Sequence, residues 1–352
     1  MKKRYQKPRD PGLFDRAERL EDLRALGDPL ARLDEVVDWT LFAPVLAQAE
    51  TDKDHDLGGR PLLPPLLLFK ALVIQSLYGL SDAQMQFQIT DRKSFQRFLG
   101  LSDADSAPDE KTLWAFRDQL RKLQLQDQLF EAFGQHLQGR GLIARQGQMI
   151  DATFIEVPRQ RNSRPENEKL KAGEVPAAWE KEPAKLRQKD TDARWTQKRK
   201  QNFYGYKNHL NVDTRSKLIT RYEVTPASVH DSQALEALVR PGDPQTFADS
   251  AYQTPACQEV MDKCGIQARF ILPARRNRPL GRQQKRINRA RSRIRCRIEH
   301  VFGMMAMGIK STFNRCIGLA RNRASIALLN LTYNLVRMEQ IHRLGLKTWR
   351  AA

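Results

Sequence analysis

Apolar residues recur at helical spacing through the first 140 residues and at strand spacing from about 145 onward, so the chain changes character near its middle. Residues 66–74 are almost all apolar and read as a buried helix entered after Pro65, which suits a first-turn position. Ser81 offers an N-cap for the next helix. A short helical segment follows at 93–99, then a long one over 109–137 whose start, Ser106 with Asp109, resembles a capping box. Beyond 145 the pattern predicts a strand at 148–157, a hairpin of 204–213 and 217–225 turning at Thr214, Arg215 and Ser216, and short strands at 245–248 and 268–273. Helices are expected at 231–239 (capped by Asp231 or Ser232), 255–264, 284–307 and 323–343. The fold class is therefore α+β: a helical region over 31–144, preceded by a charged, loosely held arm at 1–30, then a mixed region over 145–343 with five strands and flanking helices. The polar segment 158–201 interrupts that region as an insertion that either orders on a partner or stays a floppy surface loop.

At 352 residues the chain has room for two domains, each with its own core. The formal charge of +19 points to an anionic partner, most often nucleic acid. That charge is unevenly placed. Residues 1–140 hold 20 Lys/Arg against 22 Asp/Glu, whereas the remainder holds 40 against 19. The four cysteines form no Cys-x-x-Cys pair and the histidines are scattered, which argues against structural zinc and a disulfide framework. The basic N-terminus is not followed by an apolar run, and the most apolar stretch, 61–80, is interrupted by Pro64, Pro65 and Lys70. A cytoplasmic protein without a membrane span is expected.

Three carboxylates in the basic half stand out. Asp151 ends an apolar run, Asp249 ends a second, and Glu299 lies on a helix crowded with arginines. Between Arg269 and Arg297 there are 12 Lys/Arg and no acid, a run that repels itself unless phosphates lie against it. Carboxylates converging from separate elements are what Mg2+ needs, and two such ions serve the attacking and leaving oxygens of a phosphodiester. Asp151 and Asp249 would converge if their strands pair, with Glu299 reaching in from a helix on the sheet. Glu156, five residues past Asp151, falls on the opposite strand face and is set aside. Asp213 suits the hairpin turn, and Asp231 a helix cap. Arg291 and Arg295 share a face with Glu299, so Arg295 either holds the glutamate, touches a phosphate, or makes a plain surface ion pair. In the first half Lys111, Trp114, Arg117 and Arg121 share a face of the long helix. This is either a helix-turn-helix variant with a DNA-reading face or an ordinary solvated one.

These residues resemble those of the bacterial insertion-sequence transposases of the DDE type, in the branch typified by insertion sequence five. The resemblance is carried by Asp151-Ala152-Thr153, by the segment Phe203 to His209, by His230-Asp231, by Ala248-Asp249-Ser250-Ala251-Tyr252-Gln253, and by Arg293 to Phe302 around Glu299. In the first half it continues through Gly58-Gly59-Arg60-Pro61 and Pro108 to Leu113, so it covers most of the chain in order. It implies an RNase H-like catalytic domain with Asp151, Asp249 and Glu299 as catalytic, metal-holding triad. It also implies Mg2+ dependence (with Mn2+ as a substitute), double-stranded DNA ends and target as partners, and a homodimer on DNA. Two positions depart from the family. Its usual lysine seven residues after the glutamate is Ala306, with Lys310 one turn on as a replacement DNA contact, and the tyrosine of related branches is Ser292. A resolvase-like nuclease on the same fold and a transposase-derived DNA-binding regulator are the competing readings.

Overall fold

The computed structural model describes residues 12–50, 62–198, 200–274, 279–309 and 312–346. The first half is helical. It runs through α1 (Asp15–Ala25), α2 (Pro29–Val36), α3 (Ala43–Leu46), α4 (Pro65–Tyr78), α5 (Asp82–Asp91), α6 (Lys93–Leu99), α7 (Glu110–Lys122) and α8 (Leu125–Gly139). Pro65 takes the first turn of α4, and Ser81 with Gln84 forms a reciprocal capping box on α5. The expected capping box of Ser106 is replaced by Asp109, whose carboxylate accepts from the Thr112 N–H at 2.6 Å. The single helix expected over 109–137 is two. Gln124 adopts a left-handed φ of 54° between α7 and α8, a turn that neither glycine nor proline announces. Part of the arm expected at 1–30 is helical as well. Arg16 of α1 donates to the Leu101 carbonyl, and Asp28 caps α2 while pairing with Arg97 at 2.9 Å.

The second half holds β1 (Gln148–Glu156), α9 (Arg164–Lys171), α10 (Ala177–Glu180), α11 (Pro183–Leu186), β2 (Arg194–Lys198), β3 (Gln201–Asp213), β4 (Ile219–Pro226), α12 (Leu235–Leu238), β5 (Gln245–Phe247), α13 (Pro255–Lys263), β6 (Gln267–Ala268), α14 (Arg282–Arg295), α15 (Glu299–Gly303) and α16 (Leu319–Arg343). Six strands, not five, form one mixed sheet in the order β2-β3-β1-β5-β6, with β4 also paired to β3. Strands β2, β3, β4 and β1 are joined antiparallel, whereas β5 runs parallel to β1 and β6 parallel to β5. This mixed sheet with helices on its faces is the RNase H-like arrangement that the resemblance implies. Gly205 is required where β3 crosses β1, because a Cβ there would overlap the Ile155 carbonyl oxygen. Asp213 serves the hairpin turn as expected, accepting from the N–H groups of Arg145, Arg215 and Ser216.

The sixth strand comes from the polar segment 158–201, which is built rather than floppy. Ser163 and Glu166 cap α9, and Glu166 accepts from the indole of a fully buried Trp179 at 2.7 Å. Buried Asp190 accepts from Tyr206 Oη at 2.7 Å and from the N–H groups of Ala193 and Gly318, while Asp192 accepts from the Leu319 N–H. The end of the segment thus satisfies the open amides at the start of α16.

The halves share their largest core instead of keeping the expected separate pair, and two smaller apolar clusters lie in the sheet half. A single apolar cluster runs from Phe42, Phe69, Phe98 and Phe133 of the helical half to Leu210, Val212, Ile298 and Leu335 of the sheet half. Helix α16 is the shared wall. Its Asn330 exchanges hydrogen bonds with Asn208, and Asn334 bridges both the N–H and the carbonyl of Ile219 at 2.9 and 2.8 Å. Its Glu339 reaches the helical half through Arg32. Among the described residues no single helix is long and apolar enough to cross a membrane.

Candidate active site

Strands β1 and β5 pair in parallel with Gln148 opposite Thr246 and Met149 opposite Phe247. Asp151 and Asp249 each lie two residues further along, so the register brings them side by side. Residues two apart share a sheet face. Met149 and Phe247 face the large core, as do Ile298 and Val301 on either side of Glu299, whereas Ile150 and Ala248 face the smaller cluster on the other side. The two aspartates therefore point toward the side on which the Glu299 helix packs. Glu299 itself is exposed, at the first residue of α15. Among the described residues no three Asp, Glu, His or Cys side chains gather into a closed metal cage. The structure brings Asp151 and Asp249 together, whereas Glu299 is exposed and does not group with them among the described residues.

Asp151 is held in a strained electrostatic setting. Burial, helped by the charge of Asp249, pushes its carboxyl up to about 6, outweighing the Ala152 N–H and the Arg295 guanidinium that pull the other way. Arg295 donates to Asp151 Oδ2 at 2.6 Å. Of the expected roles for Arg295, its partner among the described residues is Asp151 and not Glu299. Asp249 uses Oδ1 to accept from the Ala251 N–H at 2.8 Å, which fixes the turn after β5 and leaves its other oxygen for a ligand. Two carboxylates with hard oxygens and mutual repulsion fit Mg2+, which binds proteins through one or two carboxylates and takes its remaining partners from substrate and water.

The expected DNA contacts divide. Arg291 donates to the Phe270 carbonyl and is partly buried, so it braces α14 on the sheet. Arg117 is turned inward, where it grips both oxygens of Asp82 at 2.8 and 2.6 Å and joins α7 to α5. Arg121 pairs with Asp118 on its own helix. Of that face Lys111 remains exposed, beside Trp114. Lys310 and the segment 58–61 lie outside the described residues. Ala306 sits in a π-helical turn, Met304–Gly308, next to an exposed Met307, where the family resemblance predicts a lysine. The basic run that the sequence singles out between Arg269 and Arg297 includes an outward stripe of α14: Arg282, Lys285, Arg286, Arg289 and Arg293 are all exposed and have no ion pair among the described residues. Their helical spacing was readable, but Arg291 and Arg295 lie on the other side of that same helix.

A second polar cluster was missed by sequence reasoning. Asp231 is not the cap of its short helix, whose N-cap position is His230. It accepts instead from Lys207 Nζ at 2.8 Å, with His209 Nδ1 4.0 Å away. Burial holds the His209 imidazole well below its usual range, to about 4. The alternation of Lys207 and His209 on one strand face was the available signal.

The Transposase DDE domain family matches residues 144–335, and the Transposase domain (DUF772) family matches residues 18–119. No solved structure matches the chain. The two matches fall on the sheet half and the helical half in turn, and the first alone spans more than half the chain and contains all three carboxylates: the protein belongs to the DDE transposase family.

Proposed function

We propose that this transposase, of the insertion-sequence-five branch, binds the terminal inverted repeats of its element, cuts there, and joins the freed 3′ end to target DNA. The observation that carries the reading is the in-register pair Asp151 and Asp249, facing a helix whose outer side is a stripe of exposed cations without ion pairs among the described residues. Asp151 and Asp249 would hold Mg2+ or Mn2+, completed by Glu299, and the ion when bound neutralises phosphate charge and activates the attacking oxygen. Arg295 keeps the buried Asp151 compensated until substrate arrives. The α14 stripe grips backbone phosphates without reading bases.

In the first step a water oxygen bonds to phosphorus at the element's end and the strand's 3′-hydroxyl leaves. In the second, that 3′ oxygen bonds to a target phosphorus and displaces a target 3′-hydroxyl. Both steps are in-line displacements at phosphorus, so one set of carboxylates serves both. Bringing two ends together calls for two copies of the chain on DNA, in the cytoplasm where the chromosome lies. Asp151→Asn, Asp249→Asn and Glu299→Gln should each abolish joined product from end-containing DNA and a target plasmid while leaving DNA binding intact. Cutting without joining by the unaltered protein would favour a nuclease, and binding with neither would favour a regulator.

A further inference from the structure

A groove of about 810 Å3 opens where the helical half meets the sheet. Its floor includes Ile155 and Ile326, and its walls are α4, α5 and α7 on one side and the segment 312–317 with the start of α16 on the other. That segment is tied to the end of β1 by two backbone bonds, Glu156 N–H to the Thr312 carbonyl at 2.9 Å and Asn314 N–H to the Glu156 carbonyl at 2.8 Å. Two aromatic side chains line it while remaining open to solvent, Trp114 at 52% and Phe313 at 53% exposure. Among the described lining residues Asp82 is the one carboxylate, and Arg117 neutralises it. Arg315 and Arg321 also line the groove, are exposed, and have no ion pair among the described residues. The groove is thus apolar at its base, aromatic at its sides and cationic overall.

We propose that this groove holds one or two unpaired nucleotides of the DNA strand that passes the catalytic carboxylates. Bases stack on Trp114 and Phe313, and the backbone lies against Arg315 and Arg321. Aromatic platforms beside cations bind single strands because every base offers a flat face and every linkage a charge. Bases paired in a duplex are already stacked and do not enter. The location fits. Ile155 lies four residues beyond Asp151 on the same strand face, about 13 Å away at the usual rise, a distance that about two nucleotides of an extended strand cover. The proposal rests on the DNA-joining reading above and adds to it a site for opened DNA.

The test uses the full chain and a 12-mer oligothymidylate carrying one central 5-iododeoxyuridine, crosslinked by ultraviolet light and mapped by proteolysis. The crosslink is expected on Trp114 or Phe313. Trp114→Leu should weaken oligothymidylate binding on the order of fivefold or more, the loss of one stacked base, and leave binding of an equal-length duplex unchanged. Arg315→Gln combined with Arg321→Gln should flatten the salt dependence of oligothymidylate binding. Crosslinks confined to other surfaces would overturn the proposal. So would a Trp114→Leu variant that binds oligothymidylate normally but loses self-association in sedimentation, since the groove would then be a contact between copies. A crosslink that survives while strand transfer is absent would sink the joining reading and keep the nucleotide site.

Discussion

Asp151 is a residue kept against its own solvation preference. Its folded carboxyl titrates near 6 against an ordinary 3.8, so the native state binds the extra proton between those values. Stability therefore falls as pH rises through that window and stays lower above it. Asp151→Asn, which cannot ionise, should be more stable than the unaltered protein at pH 7.5 by about 1–3 kcal/mol, and the gap should close below pH 4. Urea denaturation in EDTA buffer at both pH values checks this. A less stable variant at pH 7.5 would mean that the Arg295 ion pair outweighs burial. Asp151 stands out in the sequence, because an acid that closes an apolar run in so basic a half is badly placed for an ordinary surface role. Its partner is not legible there, since Arg295 stands 144 residues away and only the packing of α14 on β1 brings the two together. Arg117 shows the converse: a basic residue at helical spacing reads as solvent-facing until its acidic partner, 35 residues upstream, is seen beside it.

Among elements, α4, β3 and β4, with strong periodicity or a proline start, match their expected bounds to within a few residues, and the start of α5 falls at Ser81 as expected. Those set by tertiary contact do not match. The break at Gln124 carries no glycine or proline, and β2 pairs at the edge of the sheet with a composition too polar to announce a strand. The segment around α9, α10 and α11 departs furthest from expectation, because a run rich in Lys, Arg and Glu conceals one buried tryptophan that organises it. Trp179→Ala removes the side chain from a site with 0% exposure and leaves Glu166 without its indole donor. A loss of about 3–5 kcal/mol, confined to this segment, is expected. Limited trypsin digestion should then cut among its many lysines at concentrations that leave the unaltered protein whole, with the far-ultraviolet circular dichroism almost unchanged. Equal resistance of the two proteins would show that the segment is held mainly by its C-terminal end, through Asp190 and Asp192.

At the scale of the whole molecule, composition and motif order led to two domains with separate cores, and the structure joins them through α16. Sequence periodicity marks a helix as buried but does not say how many partners bury it. With Leu331, Leu335, Met338 and Ile341 of α16 all inside the one cluster, both halves should melt in a single calorimetric transition. Two resolved transitions would show the halves to be thermodynamically independent. The consequence reaches into biosynthesis. Helix α16 lies downstream of every element it packs against, so the greasy surface it covers on α2, α4, α8 and the hairpin stays bare until α16 itself has been translated. At about 5–20 residues per second that interval lasts some tens of seconds. The nascent chain is a client for holding chaperones until α16 arrives, and any product truncated before α16 is a substrate for proteolysis.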